Sequence, residues 1–147
     1  MALHHKMPMR FRIIIVLSLC AGGGDLVTGL LLIFAPKATL ALMHVPIVNE
    51  LVFLRFVGCF VATVGLTYFI GLVSWKYDGI ARLRTVWELT IAFRLTAGAF
   101  VASQVATHNL SWPWLSVPFF DGFWCIVQGA LLRQGYLRES QDETREH

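Results

Sequence analysis

Four long stretches of the chain are almost continuously apolar, and charge, proline or glycine interrupts the pattern between them. They cover about 13–35, 51–75, 86–106 and 115–132. A helix rises about 1.5 Å per residue and needs roughly 20 apolar residues to cross the hydrocarbon layer of a bilayer. Each stretch therefore predicts a spanning helix, and together they predict an all-α, polytopic membrane protein built as a four-transmembrane-helix bundle. The first span is expected to stop at Pro36. The fourth is the shortest and carries Pro118 in its first turn, where the missing N–H costs nothing because that amide has no intrahelical partner. No linker, low-complexity tract or second domain interrupts this pattern, so residues 1–147 read as a single four-helix domain.

The basic residues orient the bundle. Lys6, Arg10 and Arg12 precede span one, Lys76, Arg82 and Arg84 lie between spans two and three, and Arg133, Arg138 and Arg145 follow span four. On the other side Lys37 stands alone. Nine against one is the asymmetry of the positive-inside rule, which puts both termini in the cytoplasm and loops 36–50 and 107–114 outside. The segment 36–46, with Leu40, Leu42, Met43 and Val45, is expected to lie along the outer surface and to include a short helix. Trp112 and Trp114 suit the headgroup level there, as do the loop histidines His44 and His108. Tail 139–147 is charged and expected to be solvated and mobile. The basic start followed by 13–19 imitates a secretory signal. Apolar character resumes after Asp25 and runs to Phe34, too long for a cleaved segment, so an uncleaved helix is expected.

Composition agrees. Of 147 residues, 56% are hydrophobic and 14% charged, where soluble domains carry about a quarter charged. The net charge of +3 comes from scattered flanking residues and points to no nucleic-acid partner. Cys20, Cys59 and Cys125 are odd in number, lack a CxxC spacing and read as small apolar packing residues.

The informative residues are the polar ones inside the spans. An ionisable group near the bilayer centre costs at least about 2.5 kcal/mol and is seldom idle. Asp25, Arg55, Glu88, Arg94 and Asp121 are such groups, with Gln128 as a neutral companion. At about 1.5 Å per residue Asp25 and Arg94 differ in depth by roughly 5 Å, within an arginine's reach. Arg55 and Asp121 both sit near the outer starts of their spans. The expected pairs are Asp25 with Arg94 and Asp121 with Arg55, a set of balanced charge. Helical spacing groups Ser18, Gly22, Asp25, Thr28 and Gly29 on one face, and Thr90, Arg94, Ala97 and Gly98 on another. Asp121, Trp124, Cys125 and Gln128 form a third face, and Gly58, Cys59 and Ala62 accompany Arg55. Glu88 is expected to pair with Arg84 one turn earlier, or to reach into the bundle near Gln128.

No span holds a histidine, so haem or chlorophyll ligation within the membrane is not expected, although an interfacial pigment at His44 or His108 is conceivable. No residues have metal-ligand spacing, Gly22-Gly23-Gly24 lies inside a span rather than in a phosphate loop, and no serine sits in a nucleophile elbow. No cofactor is predicted, with a lipid, a quinone or an interfacial pigment as the candidates if one binds.

The runs Gly24-Asp25, Phe34-Ala35-Pro36, Leu42-Met43-His44-Val45-Pro46, Phe56-Val57-Gly58-Cys59-Phe60-Val61 and Gly65-Leu66-Thr67-Tyr68, with Asp121 following Trp112-Pro113-Trp114, resemble small four-helix bacterial membrane proteins that are DoxX-like in size and layout. That resemblance implies a four-helix bundle in the bacterial cytoplasmic (inner) membrane, sometimes associated with redox systems, and transfers no catalytic residue. Three functions stay open from the residues. One is a non-catalytic accessory or scaffold subunit, with membrane-protein partners or further copies of the chain. Another is a protein or small enzyme that binds a lipid, quinone or isoprenoid through its Asp/Arg core. The last is an oligomeric proton or solute transporter.

Overall fold

The computed structural model of the chain describes residues 9–46 and 50–137, and within these not the side chains of 76–78. Tail 139–147 and the N-terminal Lys6 lie outside the described residues. The element order is α1 (Met9–Phe34), α2 (Pro36–Leu42), α3 (Leu51–Asp78), α4 (Ile80–Ala106), a 3-10 turn (Trp112–Leu115) and α5 (Ser116–Arg133). Among the described residues there is no strand, and four helices are long and apolar enough to cross a membrane.

The expected loop of about ten residues between spans two and three is reduced to one residue. Gly79, at φ 73° and ψ −175°, joins α3 directly to α4. That backbone region is open only to glycine. With the reversal confined to Gly79, the good helix formers Ala81, Arg82, Leu83 and Arg84 continue α4 back beyond the start of its apolar run. The short helix α2 forms as expected. It begins on Pro36, and its Leu40 is fully buried beside Leu32, Val45 and Leu54, with Met43 and Trp114 packed against them.

Helices α1 and α3 make the closest pair, through glycines that recur every seven residues. Gly22 and Gly29 lie on α1 and Gly58 and Gly65 on α3. A Cβ on Gly29 would stand 2.3 Å from the backbone nitrogen of Ala62, and one on Gly65 would stand 2.4 Å from that of Leu26. No side chain fits at either point, so the two backbones touch, as small-residue seams allow in membrane helices. At the Gly79 end an apolar cluster of Ile14, Tyr68, Ile80, Leu83 and Trp87 ties α1, α3 and α4 together.

Burial is inverted relative to a soluble bundle. Ser18, Asp25, Thr90, Arg94 and Gln128 are buried, whereas Phe119 is 81% and Ile126 74% exposed on α5. Val52, Phe53, Phe56, Leu95 and Phe100 also face outward. Large apolar area on every outer face is unfavourable in water and neutral in hydrocarbon. Cys20 and Cys59 lie on these outer faces, which corrects their reading as packing residues. Cys125 is partly buried, and all three are free.

Candidate functional site

A three-residue charge cluster, buried at Arg94 and Asp25 and partly buried at Asp121, crosses the middle of the bundle. Arg94 on α4 donates from Nη1 to Oδ1 of Asp121 at 2.8 Å and from Nη2 to Oδ2 of Asp25. The arginine is 2% exposed and Asp25 6%. Each position follows from local packing. Trp87, Thr90, Arg94 and Gly98 fall at i, i+3, i+7 and i+11 along α4, and all four are buried. Gly98, one turn beyond Arg94, lets α5 come close: a Cβ there would lie 3.4 Å from Cα of Pro118 and 3.7 Å from Cβ of Asp121. Asp121 is thereby delivered to Arg94. Asp25 follows Gly22 on the buried stripe of α1.

The expected pair of Asp25 with Arg94 is present, and that of Asp121 with Arg55 is not. Arg55 is exposed and makes no ion pair among the described residues. The buried face of α3 runs through Leu54, Gly58, Gly65 and Tyr68, and a helix turns about 100° per residue. Arg55, one residue past Leu54, therefore points away from the bundle. The predicted balance of two acids and two bases becomes two acids and one base. Glu88 takes the simpler of its two expected roles, accepting from Nε of Arg84 at 2.7 Å with both side chains half-exposed.

Below the charges, toward Gly79, lies a layer of neutral hydrogen bonds. Gln128 Nε2 donates to the Tyr68 hydroxyl at 2.6 Å, which donates to Thr90 Oγ1 at 2.9 Å. Thr90 Oγ1 donates to the Trp87 carbonyl at 3.1 Å, and Trp87 Nε1 donates to Ser18 Oγ at 3.0 Å. Tyr68, Trp87, Ser18 and Gln128 are fully buried. Tyr68 and Trp87 were not among the residues singled out from the sequence, because each passes for ordinary apolar bulk. The signal that places Trp87 is its spacing from Thr90 and Arg94. Among the described residues three buried side-chain polar atoms keep no partner, namely Arg94 Nε, Trp124 Nε1 and Gln128 Oε1.

On the other side of the charge cluster, toward α2, is a cavity of about 620 Å³. Its walls come from every helix and include Leu31 on α1, Leu40 on α2, Phe60 on α3, Ala97 on α4 and Phe120 on α5, with Trp114 near α2. Asp25, Arg94 and Asp121 line it with Thr28 and few other polar groups. Helices α3 and α4 touch near their Gly79 ends, where Gly71 adjoins Leu83 and Val86. Their far halves both border the cavity. The second oxygen of each carboxylate accepts no hydrogen bond. Neither oxygen belongs to the enclosed atoms without partners, so both keep some accessible surface, and both residues line the cavity. The result is a long apolar chamber with one charged end.

The two loop histidines have a structural task. His44 and His108 adopt left-handed backbone, at φ 57° and φ 60°. Each follows a helix whose last turn closes by a bond spanning five residues, Val45 N–H to Leu40 C=O and Asn109 N–H to Gln104 C=O, both at 2.9 Å. This is the helix stop that normally takes glycine, and Gly135 does the same after α5. Trp112 is 77% exposed, while Trp114 turns inward to the cavity. Among the described residues no group of histidine, cysteine or carboxylate side chains could hold a metal ion.

Comparisons with known protein families, curated proteins and solved structures find no match to this chain.

Proposed function

We propose that this protein spans a bacterial cytoplasmic membrane four times, with both termini inside, and binds a lipid-like molecule between its helices. Four apolar helices, outward-facing apolar surface and the nine-to-one distribution of basic residues support the membrane placement. The DoxX-like resemblance adds the bacterial setting. The observation that carries the binding function is the cavity of about 620 Å³ ending on Asp25, Arg94 and Asp121. Ligand sites are typically about 300–1,000 Å³, mostly apolar, with a few converging polar groups to fix orientation. An apolar tail fits the walls and a polar head fits the charged end, which describes a lipid, quinone or isoprenoid. The test is native mass spectrometry of protein extracted in mild detergent. A retained small molecule in the wild type, lost in Ala97→Phe at unchanged helicity, is expected. Equal spectra for the two, with no bound mass, would refute it.

One observation favours a second role as an accessory or scaffold subunit. Phe119, Gly122, Ile126 and Gly129 share a face of α5, and a Cβ added at either glycine would meet nothing within 4 Å. The same seven-residue glycine spacing is filled in the α1–α3 seam, so this face suits a helix of another protein or of a second copy. Cross-linking from a cysteine at Gly122 in native membranes reads that contact. Failure to trap any partner would remove this role.

A further inference from the structure

We infer that the occupant of the cavity is a single-chain amphiphile whose head is an ammonium group. This rests on the binding function proposed above and adds the chemical class of the ligand.

Charge bookkeeping at the polar end selects the head. Asp25 and Asp121 are held by one arginine, and Arg55, the other arginine within the apolar runs, is turned outward. With all three groups ionised the cluster carries one excess negative charge next to an apolar chamber. An uncompensated charge in such surroundings is expensive. Two carboxylate oxygens are also left without a hydrogen bond. Each aspartate spends one oxygen on Arg94, keeps the other without a hydrogen bond and lines the cavity. An ammonium head supplies the missing positive charge and donates to both free oxygens by charge-assisted hydrogen bonds. A carboxylate or phosphate head would meet two carboxylates whose one arginine already donates to both.

The remaining features agree. Phe120 packs over the guanidinium at 5.9 Å and also lines the cavity, so an aromatic face borders the head position, a favourable neighbour for a cation. The phosphate of a zwitterionic phospholipid would be repelled by the same carboxylates, which argues for a phosphate-free amine over phosphatidylethanolamine.

The test uses full-length protein in nanodiscs of phosphatidylcholine and three twelve-carbon probes, dodecylamine, dodecanol and dodecanoate. Binding is read by calorimetry against empty nanodiscs. Dodecylamine is expected to bind at least about tenfold more tightly than dodecanoate. Asp121→Asn, which leaves Arg94 paired with Asp25, is expected to abolish most of that preference. Dodecanoate binding as tightly as dodecylamine would overturn the charge assignment and leave the cavity's function standing. Binding of none of the three would overturn the cavity's function itself. Enrichment of phosphatidylethanolamine from mixed nanodiscs with no amine preference would replace the single-chain ligand by a phospholipid.

Discussion

Arg94 Nη1 donates to Asp121 Oδ1 at 2.8 Å across the contact between α4 and α5 that Gly98 makes close. Asp25 occupies the other Nη of the same arginine. The two acids are therefore alternatives for one cation, and their substitutions should not add. Asp25→Asn or Asp121→Asn alone leaves a neutral ion pair and should cost no more than about 1 kcal/mol. Asp25→Asn with Asp121→Asn leaves Arg94 buried without a counter-charge and should cost about 3–5 kcal/mol. Arg55→Ala should change stability by less than about 0.5 kcal/mol, as exposed substitutions do. Thermal unfolding in detergent reads all four, and an Arg55→Ala loss equal to that of the double variant would restore the pairing expected from sequence.

The Tyr68 hydroxyl serves two partners at once, Gln128 and Thr90. Tyr68→Phe removes it and strands a buried Gln128 amide, at a cost of about 1–3 kcal/mol. Combining Tyr68→Phe with Gln128→Leu deletes both members and should recover part of the loss. Unfolding midpoints of the three variants decide it, and a strictly additive double variant would count against a coupled pair.

The glycine positions separate by what surrounds them. Gly65→Ala places a methyl 2.4 Å from the Leu26 nitrogen, which forces α1 and α3 apart and should cost about 1–3 kcal/mol or more. Gly23→Ala meets nothing within 4 Å and, sitting in mid-helix, should be neutral or stabilising by up to about 1 kcal/mol. Equal effects at the two sites, measured by resistance to denaturant, would contradict the seam.

His44 and His108 hold a backbone conformation that costs a side-chain-bearing residue roughly 1 kcal/mol. His44→Gly and His108→Gly should therefore raise stability by up to about 1 kcal/mol each, and substitution by valine should lower it. A rise in melting temperature for glycine and a fall for valine is the expected order. Loss of stability with glycine would indicate that the imidazoles themselves make a needed contact.

The linear sequence determined the number of long helices, the short helix after Pro36 and the placement of polar groups on few faces. Those properties follow from apolar run length and helical period, which are local. It also determined the pairing of Asp25 with Arg94, because helical rise fixes their depths. The destination of Asp121 was decided by tertiary structure. Depth alone made Arg55 its neighbour, but which residue a helix turns inward depends on its partner's surface. The glycine seam rotates α3 so that Leu54, Gly58 and Tyr68 face inward and Arg55 faces out. The same packing set the charge of the buried cluster at two acids to one base and left the chamber between the far halves of α3 and α4. A cavity is the space that packed side chains fail to fill, and no local pattern along a chain records it.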